Sequence, residues 1–129
     1  MIVITGASDG LGKALTRTLS KKHEVIMLAR SEDLLRKISQ ETGAKYIICD
    51  VRDAEMVKRT FERIENEFGT IDTLINNAGV IVNGELTDTD DESIQDVIGT
   101  NTTGAIIAAK YALQAMKEVG RGLIIYVIS

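Results

Sequence analysis

The chain contains no proline, one cysteine and one histidine. A single cysteine, Cys49, rules out an internal disulfide and fits a reducing, cytoplasmic compartment. It falls in an apolar β-type run, where a small, inert core residue is expected. One cysteine and one histidine, His23, supply neither the donor set of a zinc site nor a histidine-based catalytic triad, so no metal is expected. His23 stands beside Lys21 and Lys22 in a loop remote from every motif below and is expected to be solvated. No apolar stretch approaches the roughly 18 residues of a membrane span. The first β-type run begins at Ile2, so no signal peptide is expected. There is no excess of basic charge either. Fifteen Lys and Arg against nineteen Asp and Glu give a net charge of −4, which offers nothing to nucleic acid or an anionic membrane. Linkers, low-complexity tracts and internal repeats are missing too. The lack of proline, against an average of about 5%, has no physical explanation in the sequence.

What is present suits one domain over residues 1–129, with 44% hydrophobic and 26% charged residues. Short, often β-branched apolar runs occur at Ile2–Ile4, Val25–Ala29, Tyr46–Cys49, Thr73–Ile75 and Leu123–Ile128. They are nearly unbroken rather than alternating, as strands buried on both faces are. Helix-like segments lie between them: Leu11–Ser20, Ser31–Thr42, Asp53–Phe68 and Thr89–Val119. Val57, Phe61, Ile64 and Phe68 repeat at the spacing of one helix face. The acidic run Asp88–Glu92 reads as a helix start, not a metal site. Thr89 and Glu92 have capping-box spacing, and acids suit a first turn. Strand and helix alternating in this way predict an α/β fold: a Rossmann-type, doubly wound parallel sheet of five strands in the order 3-2-1-4-5, with helices on both faces. Ligands of such sheets bind beyond the carboxyl ends of the strands.

The glycine and asparagine punctuation falls at those ends. After the first run comes Thr5-Gly6-Ala7-Ser8-Asp9-Gly10-Leu11-Gly12, then a helix. A buried strand feeding a glycine-rich turn that opens a helix is suited to a pyrophosphate, because the first helical N–H groups are unpaired at the positive end of the dipole. Gly6 permits the sharp turn, Gly10 permits backbone to approach the phosphates, and Gly12 permits the helix to lie close to the strand. Asp50 and Val51 end the third run, Asn77, Ala78 and Gly79 follow the fourth, and Asn101 sits with weak helix formers inside the long helical segment. Such a cluster in mid-helix suggests a local kink, and Gly104 is also suited to close helix packing.

Together these residues resemble the short-chain dehydrogenase/reductase family. Thr5–Gly12 looks like its T-G-x-x-x-G-x-G turn, Asn76-Asn77-Ala78-Gly79 its N-N-A-G motif, Asp50-Val51 its acidic residue after the third strand, and Asn101–Gly104 its N-x-x-G segment. The last run, ending at Ser129, is similar to the fifth strand that carries the family's active-site serine. The resemblance implies an oxidoreductase that transfers hydride between a nicotinamide cofactor and an alcohol/carbonyl substrate. Gly6, Ser8, Asp9, Gly10, Leu11, Gly12, Arg30, Asp50, Val51, Asn77, Ala78 and Gly79 would bind the cofactor. Asp50 can accept a bond from the adenine amino group, with helix capping as its alternative role. Asn77 can serve both loop and ribose. Ser129 would bind the substrate oxygen and Asn101 would help hold a water in a proton relay.

The second run ends Ala29-Arg30, where readers of NAD place an acid for the ribose hydroxyls. Arg30 can form a forked pair with a 2′-phosphate, and Ala29 adds no repulsion, so NADP(H) is expected over NAD(H). Asp9 departs from this, since many NADP-preferring relatives carry a basic residue in the turn. The greater departure is the family's tyrosine followed four residues later by lysine. None of Tyr46, Tyr111 and Tyr126 has that partner. The chain is therefore expected to be the cofactor-binding N-terminal part of an enzyme, truncated after the fifth strand, with no chemistry of its own. Its last strand would leave a long, uncharged sheet edge, and self-association into a homo-oligomer is expected. The alternatives are a non-catalytic dinucleotide-binding module or minimal Rossmann scaffold, and a methyltransferase. The last expects an acid where Ala29-Arg30 stands.

Overall fold

The structure, a computed structural model, describes residues 1–128. Strands β1 (Ile2–Thr5), β2 (Val25–Ala29), β3 (Lys45–Ile48), β4 (Thr73–Asn76) and β5 (Leu123–Tyr126) form one sheet, in the order β3-β2-β1-β4-β5. Every pairing is parallel, with Val3 opposite Ile26 on one side and Leu74 on the other. The expected topology is therefore the observed one. Ladder bonding shifts β3 one residue earlier than the apolar run suggests, and β5 stops at Tyr126, short of Ile128.

The helices α1 (Gly10–Leu19), α2 (Glu32–Thr42), α3 (Ala54–Phe68), α4 (Asp91–Ile98) and α5 (Ala105–Val119) supply the crossovers. Alternate residues along each strand point to opposite faces, and two cores result. Val3, Ile26, Leu28 and Leu74 meet Val57, Phe61 and Ile64 of α3 and the alanines of α5. Ile4, Val25, Met27 and Ile75 meet Leu35 and Ile38 of α2, with Leu15 and Leu19 of α1 beside them. Full burial of Phe61 and Leu74 is worth roughly 1.5–3 kcal/mol each. Cys49, just past β3, is buried, and burial pushes its thiol pKa up, as suits an inert core residue.

The edges differ from the buried-strand expectation. Leu123 is 54% and Tyr126 50% exposed, because β5 pairs only with β4 among the described residues. The long helix read over 89–119 is not one helix. It divides into α4, a π-helical turn at Gly99–Gly104, and α5. The weak formers Thr100–Gly104 supply little resistance to that wider winding. The capping-box reading of Thr89 and Glu92 is also corrected. Asp90 caps α4, accepting the Ser93 N–H at 2.7 Å. The Thr89 hydroxyl instead donates to the Glu85 carbonyl at 3.0 Å, closing a short 3₁₀ turn at Leu86–Asp88. Among the described residues, no helix is long and apolar enough to cross a membrane.

Candidate functional site

The β1–α1 turn is built by two glycines that admit no replacement. Gly6 has φ +63°, and a Cβ there would lie 2.7 Å from the Ala78 Cα. A Cβ on Gly12 would press into the Gly6 carbonyl and lie 2.6 Å from Asn77 Nδ2. The turn and the start of α1 thus touch backbone to backbone. Gly10 also has positive φ, +49°, but open space surrounds it, so its face is bare for a ligand. Asp9 occupies the N-cap position of α1 without making a side-chain capping bond, and no acid stands in the first turn. The Ala7 N–H donates to the Leu28 carbonyl at 3.3 Å and the Lys13 N–H to the Asp9 carbonyl at 3.1 Å, which leaves the amides between them for an anion.

The β4 end is fastened to this turn. Thr5 Oγ1 accepts the N–H groups of Asn77 and Ala78, each at 3.0 Å. Asn77 Nδ2 donates to the carbonyls of Thr5 and Gly6, both at 3.1 Å. Asn76, buried, reaches the other way and donates to the Ala105 carbonyl at 3.0 Å, fixing α5 to the sheet.

At the β2 and β3 ends, Ala29 is buried and Arg30 is exposed at the cleft, with no ion-pair partner among the described residues. Asp50 does not cap α3. Asp53 does, accepting the Met56 N–H at 2.9 Å. The Asp50 carboxylate is gripped by Arg52, from Nε at 3.0 and 3.1 Å and from Nη2 at 2.6 Å. This bonding to Arg52 holds the Asp50 carboxyl below the ordinary aspartate range, with the charge of Arg30 adding to the effect.

A cleft of about 430 Å³ joins these parts at the carboxyl end of the sheet. Gly6, Ser8, Asp9, Gly10, Leu11, Arg30, Asp50, Val51, Asn77, Ala78 and Gly79 all line it, and Gly12 lies beneath the turn. The bare face at Gly10, the unpaired amides and the free guanidinium suit the phosphates of a dinucleotide. Asn101 stands outside the cleft wall. Its Oδ1 accepts the Val80 N–H at 2.8 Å and its Nδ2 donates to the Val80 carbonyl at 2.9 Å. Asn101 and Val80 border a second, apolar groove of about 420 Å³ between the β4–α4 loop and α4. Ser129 lies outside the described residues. Gly104 packs against Val51, whose carbonyl oxygen would lie 2.7 Å from a Cβ there, so close helix packing is one of its roles.

Sequence reasoning missed Thr5 as the acceptor that joins two strands, and Arg52. The signal for Arg52 was available: an aspartate two residues earlier is the start of an Asx turn, and Asp50 Oδ1 accepts the Arg52 N–H at 3.0 Å.

Known proteins resemble this chain in sequence and in fold. The 3-oxoacyl-(acyl-carrier-protein) reductase FabG of Escherichia coli K12 is 36% identical over 126 residues, which cover 95% of this chain and 52% of the reductase. The crystal structure of serine dehydrogenase from Escherichia coli superposes with a TM-score of 0.93 at 30% identity, covering 100% of this chain and 62% of that one. An actinorhodin polyketide ketoreductase variant, solved with NADPH, superposes with a TM-score of 0.92 at 33% identity, covering 99% of this chain and 52% of that one. The chain spans about half the length of the curated relatives it matches. The profile of the short chain dehydrogenase family matches residues 1–129, and the chain belongs to that family.

Proposed function

We propose that residues 1–129 form the dinucleotide-binding unit of an NADP(H)-dependent oxidoreductase that interconverts an alcohol and a carbonyl compound. The observation that carries the reading is the free, exposed Arg30 beside the small Ala29, at the end of a cleft whose other wall is the glycine turn. The α1 amides and Gly10 would receive the pyrophosphate, Arg30 the 2′-phosphate, Asp50 and Val51 the adenine, and Asn77 to Gly79 the nicotinamide ribose. The bound nicotinamide would supply the hydride-exchanging centre. Ser129 would bind the substrate oxygen and Asn101 would help to hold water. The apolar groove beside Asn101 supports entry of a small, partly apolar substrate from that side.

A desolvated, charge-assisted contact to Arg30 is worth roughly 1.5–3 kcal/mol, so NADPH should bind at least about tenfold more tightly than NADH. Fluorescence titration of both, on the wild type and on Arg30→Ala, tests this. Arg30→Ala should lose most of the preference, and equal affinities in the wild type would overturn the assignment. A dinucleotide-binding module without chemistry is the second reading. The absence of any tyrosine with lysine four residues on favours it for these residues alone.

A further inference from the structure

We propose that Arg52 is a positioning residue: it fixes the Asp50 carboxylate at one end of the cleft and ties that end to the helical segment carrying Asn101. The proposal rests on the reading of the cleft as a dinucleotide site. One edge of the Arg52 guanidinium takes both Asp50 oxygens, through Nε and Nη2. The other edge, through Nη1, bonds Asp96 Oδ1 on α4. Its aliphatic stem lies over Gly99, the first residue of the π-helical turn, where a Cβ would be 3.5 Å from Arg52 Cγ. One side chain therefore spans the β3 end, α4 and the start of the π turn. Asn101, two residues on, is clasped to Val80 through both atoms of its amide.

This link is more than a surface ion pair because α4 has little else to hold it. The helix contains no buried residue. Its attachment comes from chain continuity, from apolar contacts along the open groove, and from Asp96 on Arg52. Asp50 and Asp96 are like charges that share one cation, so removal of Arg52 frees both and sets them against each other. A guanidinium suits this place because its planar fork meets two carboxylates at once, whereas a lysine ammonium would serve as a point charge. An adenine set against Asp50 would then bear on α4 through one rigid group. The far end of that path is Asn101, beside the groove through which substrate would arrive.

The probe is ADP, which carries adenine and pyrophosphate without nicotinamide. Amide hydrogen exchange is followed along the 129-residue chain with and without saturating ADP. In the wild type, ADP should slow exchange in the glycine turn and also across 91–101. Arg52→Met should weaken ADP about tenfold, the scale of one charge-assisted contact. At saturation it should still slow the turn, yet no longer slow 91–101. Arg52→Lys should recover part of the lost affinity. Asp96→Ala, an exposed change that removes the acceptor of Arg52 Nη1 and leaves Asp50 gripped, should abolish the effect on 91–101 with little loss of ADP affinity. It keeps the test available if Arg52→Met is poorly folded. Equal slowing of 91–101 in wild type and Asp96→Ala, or slowing of the turn alone in the wild type, would overturn the proposal. If ADP slowed nothing at the turn, the dinucleotide reading would fall and take this proposal with it, and that outcome is distinct from the other two.

Discussion

Thr5 and Asn77 hold each other twice. The Asn77 N–H donates to Thr5 Oγ1 at 3.0 Å, and Asn77 Nδ2 donates to the Thr5 carbonyl at 3.1 Å. The same hydroxyl accepts the Ala78 N–H, and Thr5 is 1% exposed. Thr5→Val conserves shape and removes the acceptor. It should cost roughly 1–3 kcal/mol for each orphaned donor and lower the melting temperature by at least about 5 °C. Thr5→Ser should melt close to the wild type. Unchanged melting of Thr5→Val would show that the hydroxyl is dispensable.

Gly12 and Gly10 should fail in different ways. A methyl on Gly12 meets backbone on two sides, so Gly12→Ala should unfold or severely destabilise the domain. Gly10→Ala has room and must bear only the left-handed conformation, at about 1–2 kcal/mol. That variant should remain folded but bind NADPH poorly, since its methyl occupies the face where phosphate would approach. Asp9→Ala should do less harm than either. Thermal melts paired with NADPH titrations separate the three, and full affinity in Gly10→Ala would move the phosphate elsewhere.

Ala29→Asp should invert the cofactor preference. A carboxylate at the end of β2 repels a 2′-phosphate and can accept bonds from ribose hydroxyls. The ratio of NADPH to NADH affinity, measured by titration, should fall below one. A ratio that stayed with NADPH would mean that Arg30 is reached from another direction.

Acid should release the grip on Asp50. Its folded pKa lies below the ordinary value because of Arg52. The stabilisation is therefore complete above the ordinary aspartate pKa of about 3.9 and fades as pH falls through the depressed folded value. Melting temperatures of wild type and Arg52→Met should differ most near neutral pH and converge in acid. A gap that stayed constant down to the lowest pH would mean that the pair contributes nothing through ionisation.

The 129-residue polypeptide should turn over neither alcohols nor ketones and should associate in solution. Without the tyrosine–lysine pair, a general acid–base contribution of roughly 10²–10⁴-fold is missing. Leu123, Ile125 and Tyr126 leave β5 an exposed apolar edge, a template for another strand. Light scattering should report oligomers that Ile125→Lys reduces. Coenzyme oxidation by a monomeric chain, dependent on Ser129, would contradict both halves.

Strand order and the two-faced core were legible because the runs at Ile2, Val25 and Thr73 are too apolar to lie anywhere but mid-sheet. The cleft residues were legible because glycine and asparagine at strand ends have few other uses. The break at Gly99 was visible only as weak propensity, since propensity marks where a helix yields and tertiary contacts choose the winding. Thr5 and Arg52 were obscured because a threonine in a strand and an arginine in a loop are ordinary until a partner distant in the chain is placed beside them. Thr89 had the right spacing for a cap, yet Asp90 has the stronger acceptor one residue nearer the helix.

The contact of Gly6 and Gly12 with Asn77 and Ala78 has a consequence for anyone who would transplant this loop. The glycine segment is not a self-contained cassette. Its carbonyls are fastened by one asparagine just past the end of a strand some seventy residues away, and the first amides beyond that strand are fastened by Thr5. A graft of residues 5–12 alone into another parallel sheet would arrive without its clamp and relax. The portable unit is a pair of strand ends, 5–12 with 76–78, and sequence change on one member is tolerable only to the extent that the other yields.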